Sequence, residues 1–112
     1  MAESSDAIIL RIFVSSLDKC DHKPLYEAIV DKARSCGIAG ATVIRGIMGF
    51  CKSGCIHTTT IFRLTQDMPI IIEIIDTPER IDAFLPSLDA MIEDGLVTVT
   101  KARVISCRPG RA

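Results

Sequence analysis

The sequence predicts an α+β protein in which two helices cover one face of an antiparallel sheet. Three observations predict this class. Short apolar runs rich in β-branched residues alternate with segments of helical periodicity. Each helical segment begins at a proline. Two of the apolar runs are hydrophobic on both strand faces, which indicates central strands. A chain of 112 residues suits a single compact domain, 1–112.

The first half of the chain predicts strand, helix and strand. Residues 8–14 (IILRIFV) form an apolar run interrupted only by Arg11. Pro24 suits the first helical position, because the amide that proline lacks has no helical partner there. Gly37 ends this helix, and residues 41–50 (ATVIRGIMGF) predict the second strand. The apolar positions at helical spacing are Leu25, Ala28, Ile29, Ala33 and Cys36.

An excursion separates the second strand from the third. Residues 58–64 (TTTIFRL) predict a short strand paired back on residues 42–50. Residues 69–76 (PIIIEIID) have apolar side chains on both faces, and only Glu73 interrupts the run. We therefore expect this strand in the middle of the sheet.

The second helix begins with Thr77 as N-cap and Pro78 as its first residue. Its buried stripe is predicted to contain Ile81, Phe84, Leu85, Leu88 and Ile92. Because proline has no amide to donate, an irregular turn is expected near Ala83–Pro86, and Gly95 is expected to end the helix. Residues 96–105 predict the last strand, and residues 106–112 a flexible basic tail.

This order of elements is typical of the ferredoxin-like split βαβ arrangement. The first and third main strands are then central neighbours, and both are apolar on the face that the helices leave open. We therefore predict that copies of the same chain cover that face. Arg11 and Glu73 interrupt these two strands. If the strands are parallel neighbours, the two side chains are expected to pair at the subunit interface.

Composition narrows the classes of partner. The net charge is −1, so nothing favours nucleic acid or an anionic membrane. No apolar stretch is long enough to span a bilayer, and no membrane insertion is expected. The acidic start lacks the basic region of a secretory signal. Five cysteines without regular spacing argue against a disulfide framework, so a cytoplasmic location is expected.

Several segments carry a family resemblance. KPLYEA, GATVIRGIMGF, IHT and DTPERIDAFLP resemble the domain-of-unknown-function branch of PII-like proteins, over about residues 8–105. The resemblance implies a homotrimer, a long loop after the second strand, and nucleotide clefts between subunits at the base of that loop. It also implies regulation of a partner protein such as a membrane transporter or channel.

The chain departs from the nitrogen-signalling PII pattern at two places. EDGLVT stands where those proteins have a glycine- and lysine-rich loop that binds phosphates. The only tyrosine, Tyr26, lies in the first helix and not in the long loop. The resemblance therefore does not imply nitrogen sensing. It still implies an adenine nucleotide as the effector.

The stretch RGIMGFCKSGCIHTTT, residues 45–60, is the candidate ligand site. Its glycines Gly46 and Gly49 let backbone amides approach an anion. The other candidate ligand residues are Arg45, Phe50, Lys52, His57 and Arg103, four of which offer charge or hydrogen bonds to a phosphate. The alternative is a hairpin end that its glycines make flexible, in which the lysine and arginine side chains are only solvated. No cofactor is required by either interpretation.

Cys51, Cys55 and His57 suggest a second interpretation, a zinc or copper site or a redox-active pair. Their spacing differs from that of structural zinc sites, and Cys20, His22 or a neighbouring subunit has to supply a fourth ligand. Two loop thiols without a metal are the simpler interpretation. Cys36, on the apolar helix face, and Cys107 are expected to be structural or incidental.

A Cys–His nucleophile built from Cys20 and His22 has no oxyanion donor or orienting acid that the sequence identifies. No catalytic residue is predicted, and the protein is expected not to be an enzyme.

Overall fold

The computed structural model describes the backbone of residues 5–53, 58–62 and 68–110, and the side chains of residues 5–50 and 68–110. The elements, in chain order, are β1 (Ser5–Ser15), β2 (Lys19–Cys20), β3 (Lys23–Pro24), α1 (Leu25–Ser35), β4 (Gly40–Arg45), β5 (Gly49–Ser53), β6 (Thr58–Phe62), β7 (Pro69–Asp76), α2 (Pro78–Met91) and β8 (Leu96–Val104). No helix in these ranges is long and apolar enough to cross a membrane.

Four strands form the main sheet, in the order β4-β7-β1-β8. β1 and β7 are central neighbours, as predicted, and Arg11 lies opposite Glu73. The pairing of Arg11 with Glu73 was expected on the condition of parallel strands, whereas these two strands pair antiparallel, in agreement with the predicted antiparallel sheet. The crossover through α1 makes β1 and β4 parallel and leaves a gap between them, and β7 fills this gap in the opposite direction.

The core lies between one face of the sheet and the two helices. Alternate side chains of the central strands point into it, as the two-residue period of a strand requires. The strand residues of this core cluster are Leu10, Ile12, Val14, Ile70, Ile72 and Ile74, and its helix residues are Leu25, Ile29, Ala33, Ile81, Phe84 and Leu88. The predicted α+β fold, with both helices on one face of an antiparallel sheet, is confirmed.

α1 ends at a glycine cap. Gly37 has a φ of +76°. The Gly37 amide donates to the Arg34 carbonyl and the Ile38 amide to the Ala33 carbonyl, each at 3.0 Å, which is a Schellman motif. Pro24 is the N-cap and not the first helical residue. Cys36 is exposed at the C-cap, so its predicted place on the apolar face is wrong: the helix has already ended there.

α2 begins as the sequence predicts and continues further than expected. Thr77 Oγ1 accepts a hydrogen bond from the Arg80 amide at 3.4 Å. The helix runs through Pro86 to Met91, so the expected irregular turn is wrong, and it ends before Gly95. Pro86 is exposed, and its ring therefore displaces no core contact while the buried residues on either side hold the helix to the sheet.

The predicted second strand is divided. β4 pairs with β7, whereas β5 pairs with β6 in a separate ribbon. β6 therefore does not pair back on residues 42–48, and only its pairing with Gly49 and Phe50 agrees with the prediction. The division falls at Gly46, whose amide donates to the Pro69 carbonyl at 2.8 Å and closes the ladder of β4.

Candidate ligand-binding cleft

The face of the sheet turned away from the helices, called the open face below, is largely apolar. In the central strands it carries Ile9, Phe13, Ile71 and Ile75, which are only half-buried. Ile44 and Leu96 continue the apolar surface at the two edges and are 41% and 46% exposed. Within the described part of the chain, no helix covers this face.

An ion pair lies in the middle of the open face. Arg11 Nε donates to Glu73 Oε2 at 2.7 Å, and Arg11 Nη1 donates to Thr100 Oγ1 at 3.3 Å. The two charged side chains are 35% and 32% exposed in the single chain. The predicted pairing is therefore present, although between antiparallel strands. Its predicted place at an interface stays a prediction.

A cavity of about 320 Å³ opens at one end of the sheet, where β4 stops and β5 begins. Gly46, Gly49 and Phe50 line it. Apolar residues form the rest of the lining: Phe13, Val14, Met48, Pro69, Ile70, Ile71 and Leu96. A volume of this size is at the lower end of the range for small-molecule sites, which are mostly apolar.

Close backbone packing shapes this cavity. A Cβ added to Gly46 meets Pro69 Cγ at 2.7 Å, a distance that real Cβ atoms essentially never show. Glycine at this position lets the chain cross directly over Pro69 and turn out of the sheet. Phe50 then remains 73% exposed and Met48 82% exposed beside the cavity. Large exposed apolar side chains at one place mark a surface that binds something.

The predicted ligand residues are distributed unequally. Gly46, Gly49 and Phe50 meet at the cavity, and Arg45 is exposed directly before them. Arg103 lies opposite Asp6, at the other end of β1. Eight residues of strand, about 26 Å, separate the two ends. A single chain therefore does not bring Arg103 to the cavity.

The other candidate ligands lie outside the described side chains. These are Lys52 and His57 for an anion, and Cys51, Cys55 and His57 for a metal. Among the side chains that are described, no three histidine, cysteine or acidic groups come close enough to hold a metal ion.

Sequence reasoning missed the apolar half of the cavity, in particular Met48, Pro69 and Leu96. The sequence does contain a signal for part of this lining. Phe13 and Ile71 alternate with core residues in their strands, which places them on the open face. The position of Leu96 depends on the register of β8 against β1, where it lies opposite Phe13. That register cannot be derived from the sequence.

The sheet order, the open apolar face and the cavity at the base of an excursion are features of the PII-like fold. Solved structures with the same fold agree. CPII of Thiomonas intermedia K12, a nitrogen regulatory PII-like protein solved with ADP and bicarbonate, is 21% identical, with a TM-score of 0.59 over 91% of each chain. A candidate PII-like signaling protein of Thermus thermophilus is 18% identical, with a TM-score of 0.64 over 93% of this chain and 94% of that one.

The chain belongs to the DUF190 family, described as "Uncharacterized ACR, COG1993", whose model matches residues 7–104. Two relatives are UPF0166 proteins. That of Aquifex aeolicus is 36% identical over 87% of this chain and 91% of its own length, and that of Methanocaldococcus jannaschii 37% identical over 88% and 91%. The predicted domain-of-unknown-function family is confirmed, and the predicted PII-like fold is shared with the solved structures above.

The same fold also occurs in an enzyme. A phage S-adenosylmethionine lyase, solved with S-methyl-5′-thioadenosine, is 15% identical to this chain, with a TM-score of 0.53 over 89% of this chain and 90% of that one. The fold alone therefore does not decide between binding and catalysis.

Proposed function

We propose that the protein is a non-enzymatic regulator that forms a homotrimer and binds an adenine nucleotide between subunits. The cavity at the base of the 50–60 loop carries this proposal, because three of the predicted ligand positions, Gly46, Gly49 and Phe50, meet there. Its apolar and aromatic lining suits a purine ring. The glycines have no side chains, so an anionic group can approach the backbone there.

The trimer accounts for the main feature of the single chain. The open face is apolar, and other copies remove it from water. Arg103 lies at the far end of the sheet and is not assigned to this cleft. ADP in CPII supports the choice of an adenine nucleotide, since that protein shares the fold.

Signalling is proposed to pass through the loop. Phe50 and Met48 lie at the boundary between the sheet and the β5–β6 ribbon, so a ligand in the cavity contacts the start of the ribbon directly. A ligand that contacts one arrangement of a loop more favourably shifts the loop toward it. The ordered loop then presents a surface to a target, for which a membrane transporter is our proposal.

Calorimetry on reduced protein tests the proposal. ADP, AMP and ATP are titrated separately, with and without bicarbonate, into wild type and Phe50→Ala. We expect saturable heat from at least one nucleotide. The Phe50→Ala variant should bind up to about tenfold more weakly, since aromatic contacts contribute about 0.5–1.5 kcal/mol. Leu17→Ala, which truncates an exposed apolar side chain that does not line the cavity, is the control.

The same titrations distinguish the proposed regulator from the alternative of a metal-binding or redox-active thiol site. Zinc is titrated into wild type and into a variant with Cys51→Ser and Cys55→Ser. Nucleotide heat that the serines leave unchanged supports the regulator. Zinc heat that they abolish, together with no nucleotide heat, overturns it in favour of the thiol site.

A further inference from the structure

A second concave surface lies at the other edge of the sheet, between α2 and the start of β8. It encloses about 710 Å³ on the helix side of the sheet and is called the acidic groove below. Its floor is apolar and includes Leu88, Ile92 and Val97. The polar side chains that line it are Asp82, Asp89 and Glu93, all of them carboxylates. An ionised carboxylate accepts hydrogen bonds and donates none.

Pro86 adds a further acceptor to this groove. Proline has no amide, so the carbonyl of Asp82 lacks the helical hydrogen bond that residue 86 normally donates. Asp82 and Pro86 both line the groove. The surface therefore combines an apolar floor with acceptors only, which suits a cationic donor with an apolar stem. Arginine is such a group, because its aliphatic stem packs on apolar surface while its guanidinium stays at the polar rim.

The chain presents such an arginine at its opposite edge. β4 is the edge strand there, and Val43, Ile44 and Arg45 are exposed on it. Val43 and Arg45 lie opposite the core residues Ile72 and Ile70, so they project to the helix side of the sheet. That is the side on which the acidic groove opens.

The two surfaces also lie at the same end of the sheet. Arg45 is in register with Ile70, and Ile70 with Val14, while Leu96 at the start of β8 is in register with Phe13. A rotation about an axis parallel to the strands keeps this end level from copy to copy. The β4 edge of one copy then meets the acidic groove of the next at matching height.

We propose that Arg45 of each subunit seats in the acidic groove of the neighbouring subunit, between Asp89 and Glu93. A contact between unlike surfaces that repeats around an axis closes a ring, and the inference rests on the homotrimer of the proposed function. Val43 packs against the apolar floor beside Val97. A guanidinium has five N–H donors, so contact with two carboxylates leaves donors for an anionic effector at the cleft.

Charge reversal with rescue tests this contact. Sedimentation equilibrium is measured on wild type, on Arg45→Glu, on the Asp89→Arg/Glu93→Arg variant and on the combination of all three changes. We expect each reversal alone to raise the dissociation constant of the trimer at least tenfold. The combination, which restores opposite charges across the contact, should return it to within about threefold of wild type. Far-ultraviolet circular dichroism verifies that every variant is folded.

Lys32→Glu and Glu27→Arg are the matched controls, since both reverse an exposed charge that does not line the acidic groove. They should leave the assembly unchanged. The inference is overturned if reversals at the contact raise the dissociation constant of the trimer no more than the controls do. It is also overturned if the combined variant dissociates as readily as the variants with one side reversed. In both cases a trimer that still binds nucleotide leaves the proposed function standing. A monomeric wild type removes the proposed assembly itself and the inference with it.

Discussion

Arg11 and Glu73 face each other across the two central strands, with 2.7 Å between Arg11 Nε and Glu73 Oε2, on the side of the sheet that the helices do not cover. In the single chain each side chain keeps about a third of its surface in water. Ion pairs exposed to this degree contribute roughly 0–1 kcal/mol to stability. Covering the open face by another subunit changes that value, because the pair then loses its solvent.

Glu73→Ala separates these two situations. The change leaves the Arg11 guanidinium without its carboxylate. If an assembly buries the open face, the unpaired charge costs about 3–5 kcal/mol, and the trimer should dissociate at concentrations at which wild type does not. Analytical ultracentrifugation at low micromolar protein measures this. A trimer as tight as wild type contradicts the placement of the pair at an interface.

A double variant serves as the control for this prediction. Arg11→Met with Glu73→Leu removes both charges and keeps apolar volume. Buried ion pairs replaced together by packed apolar residues are often as stable as the original pair. The assembly of the double variant should therefore recover relative to Glu73→Ala.

Hydrophobic periodicity predicted the main strands and both helices because burial of one face imposes it on the sequence. The apolar character of PIIIEIID on both faces likewise predicted its central position and the uncovered surface. The continuous path of α2 through Pro86 was not predicted, since it depends on whether the proline faces solvent. The division of residues 41–50 between two strands was not predicted either, because the turn at Gly46 depends on Pro69, which is distant in sequence.

The contact between Gly46 and Pro69 leads to a second prediction. Gly46→Ala places a Cβ 2.7 Å from Pro69 Cγ, so the loop base must shift. We expect a loss of about 1–3 kcal/mol in the free energy of unfolding, as for other overpacked sites, and weaker nucleotide binding. Urea denaturation and calorimetry measure the two effects.

Gly49→Ala is the matched control at the same loop. Its added Cβ meets Pro69 Cγ at 3.8 Å, which is ordinary van der Waals contact. Its free energy of unfolding should stay within about 0.5 kcal/mol of wild type. Equal losses in the two variants contradict the role assigned to the Gly46 crossing.

Asp76 at the end of β7 is the one charged side chain that is buried among the described residues, with 8% of its surface exposed. Its Oδ2 accepts from the Ala39 amide at 3.0 Å and its Oδ1 from the Thr77 amide at 2.7 Å. It therefore joins the turn after α1 to the start of α2. Sequence reasoning did not find this role, because residue 39 approaches residue 76 only in the folded sheet.

Asp76→Ala should destabilise the fold by about 1–3 kcal/mol, the cost of leaving partly buried donors without acceptors. Asp76→Asn keeps one acceptor oxygen and should lose less. Urea denaturation compares both with Asp6→Ala, which removes an exposed carboxylate. An Asn variant that is less stable than the Ala variant contradicts the account based on acceptors.

The exposed pair of Lys23 and Asp31 predicts a pH dependence. A hydrogen bond from Lys23, together with its charge, lowers the pKa of the Asp31 carboxyl below 3.8, and the same bond to Asp31 raises the pKa of Lys23 above 10.5. A lowered folded-state pKa stabilises the protein above the ordinary aspartate value, and this contribution disappears as the pH falls toward the lowered value. A raised lysine pKa acts in the opposite sense, and its contribution is lost as the pH rises past 10.5.

The difference in melting temperature between wild type and Asp31→Asn should therefore be constant between about pH 5 and 9. It should shrink as the pH is lowered through the acid range, and it should shrink at any pH when salt is added, since exposed pairs are screened. Lys23→Met should reproduce the neutral-pH difference, whereas Lys32→Met, one turn from the helix end, should not. A difference between wild type and Asp31→Asn that persists undiminished at about pH 2.5–3 contradicts the pairing, because the carboxyl of the unfolded chain is by then mostly protonated.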